Sequence, residues 1–347
     1  MLKLCLTIIL VTIGYKSFSL SEHISEFSEC GISDFEPEFP IAPKVEIGTN
    51  HIFKGKTIVD DKSLPWMARI LSGVSCTATI IGPRHVLTAA HCVEGQALEN
   101  FVVSYGSADA SNQQHKSGVE AIKYHPKTQH YEIKDKFRKN TRAYLFLNDI
   151  VVIKIKNSIK FSQNARPICL HGFHLTNSTK SDGKSIKYDE YSKFINNTQC
   201  VVAGWGITKP TCSNDDDKPL SGQLIYGQMR MISKQKCREL SIEYEKVFTP
   251  SDGNPEVESM IEAFDAYSIK SNICVVPEQS IGEPGDSGGP LMSKVGKNNW
   301  GQLGVLTKGD CRPKNPTSTE GLFAQYAPID CEWVAEATDG EVKCQTW

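Results

Sequence analysis

The sequence predicts an all-β fold, a sandwich or barrel of short strands. Short β-type runs recur along the chain: Thr77–Ile81, Phe101–Tyr105, Ile150–Ile155, Cys200–Gly204 and Gln302–Leu306. Gly, Pro and Asn separate them, the pattern of many short strands joined by turns. No internal repeat is visible.

Taken in order, the chain opens with Lys3, an apolar run from Leu4 to Gly14, and Ser17-Phe18-Ser19. A basic start, a short apolar stretch and a small-x-small end predict a secretory leader over 1–19. The run is about half the ~20 residues that a membrane span needs, so a secreted, extracellular protein with no membrane span is expected. Residues 20–51 are acidic, with Pro37, Pro40 and Pro43, and read as a pro-segment outside the core. Residues 52–347 hold the strands. Between them lie three long polar stretches: 126–146 with a basic cluster from Lys134 to Arg142, 171–199, and 240–272. The second carries glycosylation tripeptides at Asn177 and Asn196. In the third, Asn254-Pro255 followed by Val257, Ile261 and Phe264 predicts a short amphipathic surface helix. A second short helix is expected over Pro328–Ala335.

Composition narrows the function classes. In 347 residues the formal net charge is −2, which gives no general drive toward nucleic acid. The basic cluster at Lys134–Arg142 could serve a polyanion, but loop charges are usually only solvated. The twelve cysteines exceed what a cytosolic chain normally carries. Removing Cys5 with the leader leaves eleven, so one thiol is free or intermolecular. No CxxC pair or clustered Cys/His spacing supports a metal site.

Two local sequences carry chemistry. Leu87-Thr88-Ala89-Ala90-His91-Cys92 places a histidine among small residues just after a strand. Gly285-Asp286-Ser287-Gly288-Gly289-Pro290 flanks a serine with glycines, which permits a tight turn and lets backbone N–H groups converge on one point. Between them, Asn148-Asp149-Ile150-Val151 sets an acid at the head of a buried strand, where it needs a donor such as an imidazole N–H. Each piece alone is weak. Together, in the order His, Asp, Ser, they resemble the chymotrypsin/trypsin family of serine proteases. Leu64-Pro65-Trp66-Met67, Arg166-Pro167-Ile168-Cys169-Leu170 and Gly204-Trp205-Gly206 match the same family. The resemblance covers about residues 52–347, and the long loops look most like divergent nematode members.

That resemblance implies two antiparallel six-stranded β-barrels with the catalytic cleft between them. It implies a secreted serine endopeptidase with His91 as base, Asp149 as its orienting acid and Ser287 as nucleophile. The N–H groups of Gly285 and Ser287 would form the oxyanion hole, and Thr307 would contact the acid. Implied partners are protein or peptide substrates, an activating protease and an inhibitor, with no nucleic acid, cofactor or metal. The implied bridges are Cys76–Cys92, Cys237–Cys274 and Cys30–Cys169, the last tethering the pro-segment. Cys200, Cys212, Cys311, Cys331 and Cys344 stay unassigned.

The chain also departs from the family pattern. The specificity-pocket positions are Ile281, Gly309 and Gly321. Ile281 stands where trypsin has an acid, so apolar or aromatic side chains are expected ahead of Lys or Arg; Glu283 is the alternative counter-ion. The new N-terminus of the mature form should be Ile52, its amine pairing with Asp286. It follows His51 rather than Arg or Lys, so a protease of other specificity must cut there. The alternative reading is a non-enzymatic, protease-like binding protein that keeps the triad without being activated.

Overall fold

The computed structural model describes residues 29–38, 55–73, 75–134, 142–174, 185–187, 198–207, 220–248, 255–278, 282, 284–309 and 322–345. The leader, Ile52, Asn177, Asn196, Cys212, Ile281, Glu283, Cys311 and Gly321 lie outside them.

The first half of the chain supplies β1 (Lys56–Thr57), β2 (Met67–Leu71), β3 (Ser75–Ile80), β4 (His85–Thr88), β5 (Val102–Tyr105), β6 (His115–Tyr124), β7 (Gln129–Lys134), β8 (Arg142–Leu147) and β9 (Val151–Ile155). Strands β2, β3, β4, β9, β6 and β5 close in that order into an antiparallel barrel. The β-branched run of β9 is buried at every position but Lys154, as a strand enclosed between neighbours must be. Strands β7 and β8 form a separate hairpin paired from Gln129 with Leu147 to Lys134 with Arg142.

The second half supplies β10 (Cys169–Leu170), β11 (Gly172–His174), β12 (Ser185–Lys187), β13 (Gln199–Gly204), β14 (Ile225–Met231), β15 (Ile273–Pro277), β16 (Pro290–Lys294), β17 (Trp300–Gly309) and β18 (Ala324–Pro328). Strands β14, β13, β16, β17, β18 and β15 pair in sequence, and β15 returns to β14 to close a second six-stranded antiparallel barrel. Strands β1 and β10 attach at its rim. The largest core runs through both barrels, joining Trp66, Ile80 and Val152 of the first to Trp205, Trp300 and Val305 of the second. Each such large side chain contributes roughly 1.5–3 kcal/mol of burial.

Three helices complete the chain: α1 (Lys234–Phe248), α2 (Pro255–Ser271) and α3 (Cys331–Ala337). Helix α1 falls mostly within sequence read as polar loop, yet it buries Cys237, Leu240 and Ser241, one face of a helix. Helix α2 begins at Pro255 as expected but is 17 residues long, and its last turn is buried at Ser268 and Ile269. Helix α3 starts three residues later than the sequence suggests. Pro328 ends β18, and Asp330 caps the helix by accepting from the Trp333 N–H at 3.1 Å.

The part of the acidic N-terminal stretch that is described docks on the barrels. Cys30 is bonded to Cys169, the Gly31 N–H donates to the Pro167 carbonyl at 2.8 Å, and Phe35 packs between Tyr226 and Trp300. Its acids are answered from the domain side, Glu36 by Lys294 and Glu38 by Lys56. A pattern of acids and prolines reads as loop, but one aromatic and one disulfide are enough to hold ten residues in place. Cys76–Cys92, Cys237–Cys274 and Cys331–Cys344 are also bridged. Cys200 is a buried free thiol.

Candidate active site

His91 lies on a single 3-10 turn, Ala90–Cys92, directly after β4. The bridge from Cys92 to Cys76 pins that turn to β3. Asp149 heads β9. The residue before it, Asn148, has φ of +48°, a left-handed conformation that Asn tolerates better than most side chains. Its side chain donates to the Lys127 carbonyl at 2.7 Å, and its own carbonyl accepts from the Ile150 N–H and the Thr128 hydroxyl, both at 2.8 Å. This fixed turn aims the carboxylate inward.

The two side chains meet. Asp149 Oδ1 accepts the His91 backbone N–H at 2.8 Å, and Oδ2 lies 2.6 Å from His91 Nδ1. Because a carboxylate only accepts, Nδ1 carries the proton and Nε2 is left as the basic nitrogen. Asp149 is 1% exposed and the His91 ring 25% exposed, so the base reaches solvent while its partner does not. Burial opposes a charged imidazole, but the charge and hydrogen bond of Asp149 outweigh it, and the His91 pKa is raised.

Thr307 supplies a further donor, its hydroxyl lying 2.5 Å from Asp149 Oδ2. In the pairing of β17 with β18, Leu306 faces Tyr326 and Lys308 faces Gln325, so Thr307 is the extra residue of a bulge. A bulge re-aims a side chain out of the regular alternation. Here it turns the threonine toward the other barrel.

Ser287 sits in a loop shaped by glycine. Gly285 and Gly288 have φ of +100° and +80°. A Cβ at Gly288 would lie 2.0 Å from Thr88 Oγ1 and 2.5 Å from the Thr77 carbonyl, so only glycine fits. Thr77 clamps the loop from the first barrel: its N–H donates to the Ser287 carbonyl and its hydroxyl to the Gly285 carbonyl, each at 2.9 Å. No sequence signal marks Thr77, which stands 208 positions from Gly285. Among the described residues no acceptor engages the Gly285 or Ser287 N–H, and Ser287 Oγ is not hydrogen-bonded to His91.

Asp286 turns inward and accepts the Gly206 N–H at 2.7 Å. A Cβ on Gly204 or Gly206 would come within 2.2 or 2.4 Å of that carboxylate, which explains glycine on both sides of Trp205. Of the expected pocket residues, Gly309 is described. A Cβ there would lie 3.2 Å from the Gly282 carbonyl, so the end of β17 runs against Gly282. Among the described residues, the one grouping of three metal-type ligands is Cys76, His91 and Cys92. Its two sulfurs are spent in a disulfide and cannot serve as thiolate ligands.

Comparison with known proteins gives the family. The Trypsin family model matches residues 52–329. The chain belongs to the trypsin family. It is 25% identical over 322 residues to mouse Transmembrane protease serine 11G and 24% identical over 323 residues to its rat counterpart. Each match covers 92% of this chain and 60% of the relative, so the chain spans well under two thirds of the relatives' length. No described helix is long and apolar enough to cross a membrane. Among solved structures, the scabies mite inactivated protease paralogue S-D1 shares the fold, with a TM-score of 0.54 and 18% identity over 84% of this chain and 99% of that one.

Proposed function

We propose that this trypsin-family chain is a secreted serine endopeptidase that works through an acyl-enzyme. The observation that carries the reading is the doubly hydrogen-bonded pair of His91 and buried Asp149, which leaves Nε2 basic and facing solvent. In the proposed cycle Ser287 Oγ attacks the substrate carbonyl as its proton passes to His91 Nε2. The N–H groups of Gly285 and Ser287 receive the negative charge that forms on the carbonyl oxygen. Collapse expels the amine, which takes the proton from His91. Water then attacks the acyl-enzyme by the same route, and Ser287 is regenerated. No step requires a cofactor.

Around that core, the chain is made with a leader over 1–19 and a pro-segment over 20–51. It is glycosylated at Asn177 and Asn196, and activated by a cut before Ile52 whose new amine pairs with Asp286. The pocket of Ile281, Gly309 and Gly321 takes an apolar or aromatic side chain, since Lys or Arg would leave water without a fixed counter-charge.

A second reading, a non-enzymatic binding protein on this scaffold, is favoured by one observation: Ser287 Oγ is not hydrogen-bonded to His91. A fluorophosphonate probe separates the two. Labelling of the secreted protein that vanishes in Ser287→Ala is the expected result. A wild-type protein that takes no label after cleavage before Ile52 is the binding protein.

A further inference from the structure

The hairpin of β7 and β8 stands against the 3-10 turn that carries His91. From it the Phe146 ring lies 6.0 Å from the His91 ring, and the His130 ring lies 5.7 Å from that of Phe146. Helix α2 also packs on β8, although it is anchored in the second barrel. Ile269 is buried with Cys237, Leu240 and Phe323. Ser268 Oγ donates to Gln325 Oε1 on β18 at 2.5 Å, and Asn272 Nδ2 reaches the same oxygen at 3.1 Å. One helix thus touches β18 of the second barrel and β8, the strand of the first that carries Phe146.

We propose that α2 and the β7–β8 hairpin together wall off one end of the cleft, so that the protein acts on peptides with a short run on one side of the bond that is cut. This rests on the endopeptidase reading. Phe146, on the hairpin that forms the wall, stands 6.0 Å from His91, and an extended peptide advances ~3.3–3.6 Å per residue, so about two residues fit before the wall. In an open cleft each added residue supplies binding energy that is spent at the reacting carbonyl, and turnover rises with length on both sides. A walled cleft breaks that symmetry.

The test measures kcat/KM for two peptide series sharing one cleavable bond, the first lengthened residue by residue on its N-terminal side and the second on its C-terminal side. A small fluorophosphonate reports in parallel that Ser287 is reactive. One series should fall about tenfold once it passes two residues, while the other keeps rising. Replacing residues 243–267 with a Gly-Ser linker removes most of α2 and should abolish the fall. Two rising series in labelled wild-type protein overturn the wall and leave the peptidase reading intact, as does a labelled deletion variant that keeps the fall. If the deletion variant takes no label, the two wild-type series decide alone. Wild-type protein that takes no label overturns the peptidase reading, and the wall as a substrate filter with it.

Discussion

Three donors converge on the Asp149 carboxylate: the His91 N–H, the His91 Nδ1–H and the Thr307 hydroxyl. A buried charge is tolerated only when it is compensated in this way. Thr307→Val removes one donor from a charged acceptor, a loss of about 1.5–3 kcal/mol. The expected result is a kcat/KM roughly ten- to a hundredfold lower, restored by Thr307→Ser. The imidazole itself must be neutral to act as base, and its pKa lies above the ordinary 6.5 because Asp149 outweighs burial. Activity should therefore rise with pH to a plateau, with a midpoint above 6.5. Asp149→Asn removes the charge that raises the pKa, so burial dominates and the midpoint moves down. It also misorients the tautomer, at a cost of about 10⁴ in kcat at neutral pH. A midpoint that stays fixed in the asparagine variant would show that another group sets the profile. For stability the sign is opposite: a raised folded-state pKa stabilises fully below 6.5, and that contribution is lost as pH rises through the folded value.

The last helix and the tail behind it form one stapled element. Asp330 caps α3, Cys331 is bonded to Cys344, and the Gln345 N–H donates to the Leu170 carbonyl at 2.9 Å. The bridge closes a loop with a sequence separation of 13, and a loop of that size is worth ~3 kcal/mol. Replacing both cysteines by alanine should lower Tm by several degrees, at about 2–4 °C per kcal/mol, while Ser287 still takes the probe. An unchanged melting curve would mean that the tail is held without its bridge. This staple was not legible in the sequence. Five cysteines were left over once the family bridges were assigned, and pairing is a matter of distance in three dimensions. The strands were legible because β-branched runs and turn residues report burial locally, as in β9. Helix α1 was missed because Lys234, Lys236, Arg238 and Glu239 mask an apolar face at Cys237 and Leu240. His91, Asp149 and Ser287 each stand in a weak local pattern, small residues, a strand head and a glycine turn, and it is their order along the chain that carries the resemblance; of the three, the structure hydrogen-bonds His91 to Asp149. Thr77 and Phe146 left none, since their roles come from a barrel contact and a hairpin that lies against the His91 turn.

At the scale of the molecule, the stretch from Glu29 to Glu38 touches both halves. The Ser33 hydroxyl donates to the Ser63 carbonyl at 2.6 Å, just ahead of β2, while Ile32 bridges to Asn299 beside β17. Gly31 has φ of +72°, and a Cβ there would lie 2.2 Å from the Trp300 carbonyl, so the approach is closed to any other residue. The ion pairs of Glu36 and Glu38 are exposed and add little, because solvent screens them. What holds the strap is Cys30–Cys169 and the seating of Phe35 against Tyr226 and Trp300. An activating cut anywhere between Glu38 and Gly55 should therefore leave the strap on the domain. On a gel the cut protein should run at full size without reductant and lose the N-terminal fragment only when reduced. Phe35→Ala tests the packing separately. Phe35 is only partly buried, so the loss should fall somewhat below the 3–5 kcal/mol of a fully buried phenylalanine. Tm should drop by several degrees in both the cut and the uncut protein. A drop confined to the uncut chain would mean that cleavage itself frees the strap, and that the disulfide is then a leash on a segment no longer docked.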